Sequence, residues 1–425
     1  MRYELRDYQA EASRKAVEFF HDDNIRYNAV EVLACGAGKS LILADIASKL
    51  NDKVLIFQPN AEILRQNYEK YCSYGLDNAA IYSASLNSKE VRDVTFATIG
   101  SAKNHSELFT DFKYICIDEC QLVNPKEGMY SNFLKQLKCK VLGVTATPYR
   151  LDSQQGIFEN GRFMPNGTYD KIDYFKDDFE PKPGVIVQSR AIEKIITRTR
   201  PRVFEKIIYH VQTKDLMDRK FLERPIYFDV RPKMWCEGNL FLNSTGLDYT
   251  DESVKKEYKR VDIYARLVTV VRHLLNPKDG NPRHGILVFT RFVEEADRLA
   301  SEVPSCKVVK GTMGKKERKQ VIDDFKNGKI KVLANANCLA EGFDYPELDT
   351  VVMARPTRSM AKYGQIVGRA MRKRADGKPK IPWFVDMCGN IDRFGKIEEH
   401  DIIDFSGNGR WEVMFGNKQL TNIYF

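Results

Sequence analysis

Three short stretches of this chain carry residue types that handle phosphate. The first, Cys35-Gly36-Ala37-Gly38-Lys39-Ser40, sets a lysine and a hydroxyl directly behind two glycines. In such a turn the glycines let backbone N–H groups close on phosphate oxygens, Lys39 reaches the β- and γ-phosphates, and the Ser40 hydroxyl is a Mg²⁺ ligand. Alone, the stretch also fits a glycine-rich turn with an incidental lysine. The second is Asp118-Glu119-Cys120-Gln121, where Asp118 suits Mg²⁺ held through its water shell and Glu119 suits the orientation and deprotonation of a water. The third runs from Gln365 to Arg372; Arg369 and Arg372 stand three residues apart and share one helix face. Planar, permanently charged guanidinium groups aimed at a γ-phosphate accelerate hydrolysis about 10³- to 10⁵-fold in other nucleotide hydrolases. Together the three stretches fit the cleavage of a Mg²⁺-bound nucleoside triphosphate.

The elements that must position these residues are legible around them. Ala29–Leu33 is an apolar run ahead of the glycines, and Leu41, Ile42, Ala44, Ile46, Ala47 and Leu50 recur behind them at helical spacing, giving strand, loop, helix. Tyr114–Ile117 is a strand that delivers Asp118 and Glu119 to a sheet edge, where ligands collect in open α/β folds. Further strands are expected at Val54–Phe57, Thr95–Thr98 and Lys140–Val144, each ending in a polar turn: Pro59 to Gln66, Thr98 to Ser101, and Thr145-Ala146-Thr147-Pro148. Hydroxyls and exposed N–H groups at such ends bind phosphate oxygens whatever the base, and ordinary loop punctuation explains each of these turns equally well.

The order of these stretches resembles the superfamily 2 helicases, in its RadD-like branch close to type III restriction motor subunits, with an ending similar to helicases carried by phages and prophages. The resemblance rests on the phosphate loop, the variant acidic box Asp118-Glu119-Cys120-Gln121, Thr145-Ala146-Thr147-Pro148, Glu341-Gly342-Phe343-Asp344-Tyr345-Pro346 and Gln365-Ile366-Val367-Gly368-Arg369-Ala370-Met371-Arg372. The branch rests on Arg355-Pro356-Thr357-Arg358 besides, and the phage likeness on Asp386-Met387-Cys388-Gly389-Asn390 with Arg393-Phe394-Gly395. It departs at Leu33, where the fullest phosphate-loop pattern has glycine. What it implies is an adenine-reading role for Gln9, nucleotide or ribose contacts for Gly342 and Asp344, and a catalytic place for Gln121 and Gln365. It also implies nucleic-acid contacts at Pro59, Arg65, Gln66, Thr98, Gly100, Thr290, Arg291, Gly311 and Arg318, with Thr145 and Thr147 coupling hydrolysis to grip.

At 425 residues the chain is long enough for two or three domains. The expected fold class is α/β: two tandem RecA-like doubly wound parallel sheets, 1–152 and 204–425, joined by an insert at 153–203. In the insert, Asn160-Gly161 marks a hairpin, Ile192–Ile196 is expected to be helical, and Arg198, Arg200 and Arg202 form a basic cluster. Further on, Leu216 and Phe221 sit in a helical pattern, and apolar residues from Val254 to Leu275 keep helical spacing over one long stretch. The net charge of +9 favours a polyanion partner. No run of about eighteen apolar residues exists, and Met1 to Phe20 lacks a signal-peptide core, so a cytoplasmic protein is expected. The nine cysteines include no Cys-x-x-Cys pair and are expected to be reduced.

The functional expectation is an ATP-dependent motor that unwinds or remodels DNA, branched DNA above all, using ATP and Mg²⁺. DNA is favoured over RNA, single-stranded or forked, with a monomer expected and a single-strand-binding protein or a nuclease as partner. The alternatives are a duplex translocase serving a nuclease, and an ATP-gated clamp or annealing protein with little turnover.

Overall fold

The computed structural model describes residues 4–159, 162–165, 186–278, 280–336, 339, 343 and 345–423. Helix Asp7–His21 opens the chain and buries Tyr8, Ala12, Ala16, Phe19 and Phe20 along one stripe, as their spacing requires. The first sheet contains β1 (Ala29–Leu33), β2 (Val54–Phe57), β3 (Ala79–Ser83), β4 (Ser88–Lys89), β5 (Val94–Ala97), β6 (Tyr114–Asp118) and β7 (Lys140–Thr145). After it, β8 (Tyr149–Glu159), β9 (Arg162–Pro165) and β10 (Ile186–Ile195) form a separate antiparallel sheet, and β11 (Lys206–Val211) returns to the first. The first sheet then reads β11-β1-β7-β6-β2-β5-β3-β4, parallel throughout except at its β3–β4 edge. Its central strands are buried on both faces, so β2 reads as a continuous apolar run, while β1 carries Glu31 and β5 carries Thr95, both fully buried.

The second sheet is wholly parallel: β12 (Ile226–Asp229), β13 (Ile286–Thr290), β14 (Cys306–Val309), β15 (Val332–Ala336), β16 (Thr350–Ala354) and β17 (Trp383–Asp386), in the order β12-β17-β16-β13-β15-β14. A small antiparallel sheet follows, of β18 (His400–Asp404), β19 (Trp411–Phe415) and β20 (Lys418–Gln419). The two parallel sheets are the two expected lobes.

Three expectations are corrected. The boundary drawn at 203/204 is not where the sheets divide: β11 pairs with β1, so the first lobe recruits a strand from beyond the insert, and the second sheet begins at Ile226. Ile192–Ile195 is strand and not helix, because β10 pairs residue for residue with β8 from Ile186↔Phe158 to Ile195↔Tyr149; only Ile196 turns helical, opening the short 3-10 turn Ile196–Arg198. The helical stretch from Val254 is two helices, Asp251–Arg260 and Ile263–Leu275, broken at Asp262, whose φ of +49 is left-handed. The turn at Asn160-Gly161 lies outside the described residues, and the strands flanking it do pair antiparallel, Phe158↔Phe163.

One apolar cluster crosses from lobe to lobe. It takes in Ala34, Ala37, Tyr149 and Ile195 from the first lobe and its insert, and Met360, Tyr363, Ile366 and Val367 from the second. The C-terminal sheet also leans on the first lobe. Gln212 exchanges two hydrogen bonds with the backbone of Ile402, and Arg198 pairs with Glu412 at 3.1 Å. Among the described residues, no helix is long and apolar enough to cross a membrane.

Candidate active site

The phosphate loop has the geometry its glycines allow. β1 ends at Leu33, Gly36 and Gly38 both take φ +83°, and helix Lys39–Lys49 begins at once. Glycine enters that left-handed region without the steric cost other residues bear. At Gly38 a side chain is excluded twice over, since a Cβ there would stand 2.4 Å from Gln9 Nε2. Gln9 Nε2 and the Tyr8 hydroxyl donate to Ala37 O at 2.8 and 2.9 Å, and Gln9 Oε1 accepts the Arg6 N–H at 2.9 Å. The structure therefore sets Gln9 against the loop itself, bracing it from behind.

Lys39 Nζ lies 2.9 Å from Glu119 Oε1. Glu119 follows β6 with φ +51°, a costly conformation for a residue with a side chain, and such strain gathers where a group must point into a site. Gln121 Nε2 donates to Glu119 Oε2 at 2.8 Å, Thr145 Oγ1 donates to Gln121 Oε1 at 2.5 Å, and Thr147 N–H donates to Thr145 Oγ1 at 2.9 Å. The acidic box and the turn after β7 are thus one hydrogen-bonded line.

Burial opposes charge on every member of this group, so its net state depends on neighbours. For Lys39 the Glu119 and Asp118 carboxylates outweigh burial and raise the ammonium's pKa. Glu119 is likewise desolvated, yet the Lys39 ammonium and the Gln121 amide hold it below the usual carboxylate range. Asp118 goes the other way: burial, then the charge of Glu119, push it up to about 7. Lys39 and Glu119 stay charged while Asp118 is left close to protonation.

The second lobe completes the site. A cleft of about 370 Å³ is lined by Gly36, Gly38, Lys39, Ser40, Asp118 and Glu119 from one lobe and by Gln365, Arg369 and Arg372 from the other. Helix Met360–Gly368 ends just before the arginines, so Arg369 caps its C-terminus and Arg372 lies in the bend beyond, not on one helix face as their spacing suggested. The fit is close, since a Cβ on Gly364 would sit 3.5 Å from Thr147 Cγ2, and one on Gly368 only 2.4 Å from Cys35 Cβ. Arg369 donates to Phe343 O at 2.9 Å, and the Arg372 stem runs 3.3 Å from where Gly36 would carry a Cβ. Burial lowers the Arg372 pKa. The oxygen-bearing side chains of Ser40 and Asp118 line this cleft together, and hard oxygen ligands of this kind fit Mg²⁺.

Some residues fall elsewhere than the sequence implied. Gln66, expected on the nucleic-acid path, lines the cleft. Thr290 is fully buried, with its hydroxyl donating to Phe292 O and Asn335 O, so it does not present itself to a strand. The Arg291 side chain is only 7% exposed and is neutralised by Asp248 and Asp251 at 3.1 and 2.8 Å. Pro59 is half-buried in its turn after β2; Arg65 and Gly100 are exposed; Thr98 shares a hydroxyl contact with Ser101 at 3.0 Å. Gly311 is exposed beyond β14 and Arg318 lies on helix Lys315–Lys326. Gly342 and Asp344 lie outside the described residues.

Asn67, Lys70 and Phe221 also line the cleft and were missed. Phe221 lies between the Arg6 and Arg219 guanidinium groups, each 4.7 Å from its ring centre. In the sequence it was one aromatic in a helical pattern, with no signal separating it from a core residue.

Comparison with known proteins bears on the same two lobes. Residues 2–150 match the type III restriction enzyme res subunit family, and residues 266–374 match the helicase conserved C-terminal domain. The chain belongs to the superfamily 2 helicases. As a superfamily 2 helicase it is an ATP-hydrolysing enzyme on two RecA-like lobes. It is 22% identical over 395 residues to a 51.5 kDa protein of a Lactococcus phage, covering 91% of this chain and 71% of that one. It is 24% identical to the DNA 3'-5' translocase XPB2 of Sulfurisphaera tokodaii, covering 87% and 79%. Among solved structures, the ATP-dependent type ISP restriction-modification enzyme LlaBIII bound to DNA superposes with a TM-score of 0.58 at 18% identity, over 91% of this chain and 28% of that chain. That likeness is one of fold.

Proposed function

We propose that this helicase hydrolyses Mg²⁺·ATP between its lobes and uses the change in lobe contact to move along and remodel DNA, with forked or branched DNA as its substrate. The carrying observation is that Lys39 and Glu119 from one lobe and Arg369 and Arg372 from the other line one cleft. Lys39 would hold the β- and γ-phosphates, Glu119 would take the proton of the attacking water, and the two arginines would neutralise charge developing on the transferred group. Ser40 and Asp118 would hold Mg²⁺, which supplies further charge neutralisation when bound. Loss of the γ-phosphate removes what the lysine and the arginines share, and with it the reason for closure.

A contact between the lobes at Lys315 supports a path for the DNA. Lys315 Nζ reaches Ser85 O at 3.4 Å, and Ala84 N–H bonds Ser101 Oγ at 2.9 Å, so the Thr98–Ser101 turn adjoins the helix that carries Arg318. A strand crossing here would meet Thr98 and Gly100 on one side and Gly311 and Arg318 on the other, contacts to phosphate that carry no sequence information. DNA rather than RNA is supported by the similarity to XPB2. One chain supplies both halves of the cleft, in keeping with a monomer.

The test is ATP turnover measured in parallel with single-stranded DNA, duplex, forked DNA and RNA, together with a strand-separation assay. Forked DNA should stimulate most and be opened. Stimulation by RNA alone, or turnover indifferent to every nucleic acid, overturns the reading.

A further inference from the structure

The insert does more than fill the space between the lobes. Glu193 of β10 is fully buried, and its Oε1 accepts the backbone N–H of Met360 at 2.7 Å, at the first residue of the helix that leads to Arg369. Among the described residues its Oε2 has no hydrogen-bond partner. Burial raises the carboxyl to about 8, opposed by the Met360 N–H and the Arg358 guanidinium and aided by the Asp152 charge, which favours the neutral acid at pH 7. Tyr149 is the other titratable group it faces.

The other end of this connection is the hydrolysis site. Glu193 stands opposite Leu151 in the β8–β10 ladder, Ile196 N–H bonds Pro148 O at 2.8 Å, and Pro148 follows Thr147 directly. From Thr147 the line already described runs through Thr145 and Gln121 to Glu119 and Lys39. A change at Glu119 therefore has a continuous, packed route to the first turn of the arginine helix.

We propose that Glu193 is a positioning residue for hydrolysis: its buried carboxyl ties helix Met360–Gly368 to the insert of the first lobe and so sets where Arg369 meets the γ-phosphate. This rests on the cleft being the hydrolysis site. An alanine would open a cavity, whereas Glu193→Leu keeps the volume and removes the acceptor. Glu193→Gln keeps both, mimicking the neutral acid.

The experiment measures turnover at saturating single-stranded DNA, fluorescent-nucleotide affinity and melting midpoint for both variants. Glu193→Gln should stay within about twofold of the parent at pH 7. Glu193→Leu should lose about tenfold or more in kcat, with nucleotide affinity and melting midpoint unchanged. The second readout is pH. A carboxyl raised from about 4.5 to about 8 makes the packed arrangement progressively costlier across that window and level beyond it. The turnover ratio of Glu193→Gln to parent should therefore climb between pH 6 and 8 and then flatten.

Parental turnover in a folded Glu193→Leu, or equal loss in both variants, overturns the proposal. If the leucine variant does not fold, a flat pH ratio overturns it. A Lys39→Ala control separates the two layers: loss of hydrolysis there with none in Glu193→Leu rejects only the positioning role, whereas full hydrolysis in Lys39→Ala rejects the site itself.

Discussion

The ammonium of Lys39 and the carboxylate of Glu119 stand 2.9 Å apart, each keeping the other charged in a site that burial would neutralise. Removing Lys39 leaves Asp118 and Glu119 side by side without their cation. Lys39→Ala and Glu119→Gln should each lower DNA-stimulated turnover by about 10²- to 10⁴-fold. Glu119→Gln should still bind nucleotide, since it keeps the size and the Gln121 contact. Phosphate release and a fluorescent-nucleotide titration check both, and normal turnover in either variant removes the assignment.

Arg369 reaches the cleft from the opposite lobe, so its loss should spare binding and strike chemistry. Arg369→Ala is expected to bind ATP within a few-fold of the parent and to lose about 10³-fold in turnover. Arg369→Lys should recover little, because a compact ammonium does not reproduce the planar fork. Single-turnover hydrolysis beside equilibrium binding reads the two effects separately.

Gly368 has room for hydrogen only, as Cys35 Cβ occupies the place of a side chain at 2.4 Å. Gly368→Ala should hold the lobes apart and abolish turnover. The matching change Cys35→Gly removes the obstructing atoms, so the double variant should regain turnover that Gly368→Ala lacks. This coupling, read as a double-mutant cycle, is the signature of direct contact.

Asp118 is pushed up to about 7 by burial and by the charge of Glu119 beside it. A protonated carboxyl is a poor Mg²⁺ ligand, so protons and the metal compete there below that pH. The Mg²⁺ concentration for half-maximal turnover should rise as pH falls from 8 to 6, and chelation should stop hydrolysis at any pH. Residual turnover of Asp118→Asn should lack that pH dependence.

The site was largely readable in the sequence because each of its parts is local. A glycine-lysine turn, two acids at a strand end and two arginines three apart are each fixed within about ten residues; the turn and the strand end form as expected, whereas the arginines lie past the end of helix Met360–Gly368 instead of on one helix face. What local reading missed has long-range causes. The helix expected over Ile192–Ile196 fails at Ile192–Ile195 because their ladder with the distant β8 makes them strand. Thr290 and Arg291 stand at a strand end like any exposed motif, and only the packing of Phe292, Asn335, Asp248 and Asp251 around them uses up their polar groups.

By itself the sequence determined two parallel sheets, the phosphate loop, the acidic pair and the arginines, since short-range periodicity and side-chain chemistry specify these without reference to distant residues. Only the tertiary structure decided that β11 crosses back into the first sheet, that Gly368 meets Cys35, and that Glu193 from the insert receives the N–H of Met360. Those contacts join residues 167 or more positions apart, and nothing in a residue's neighbours along the chain encodes a partner that only packing and the burial of polar groups can select.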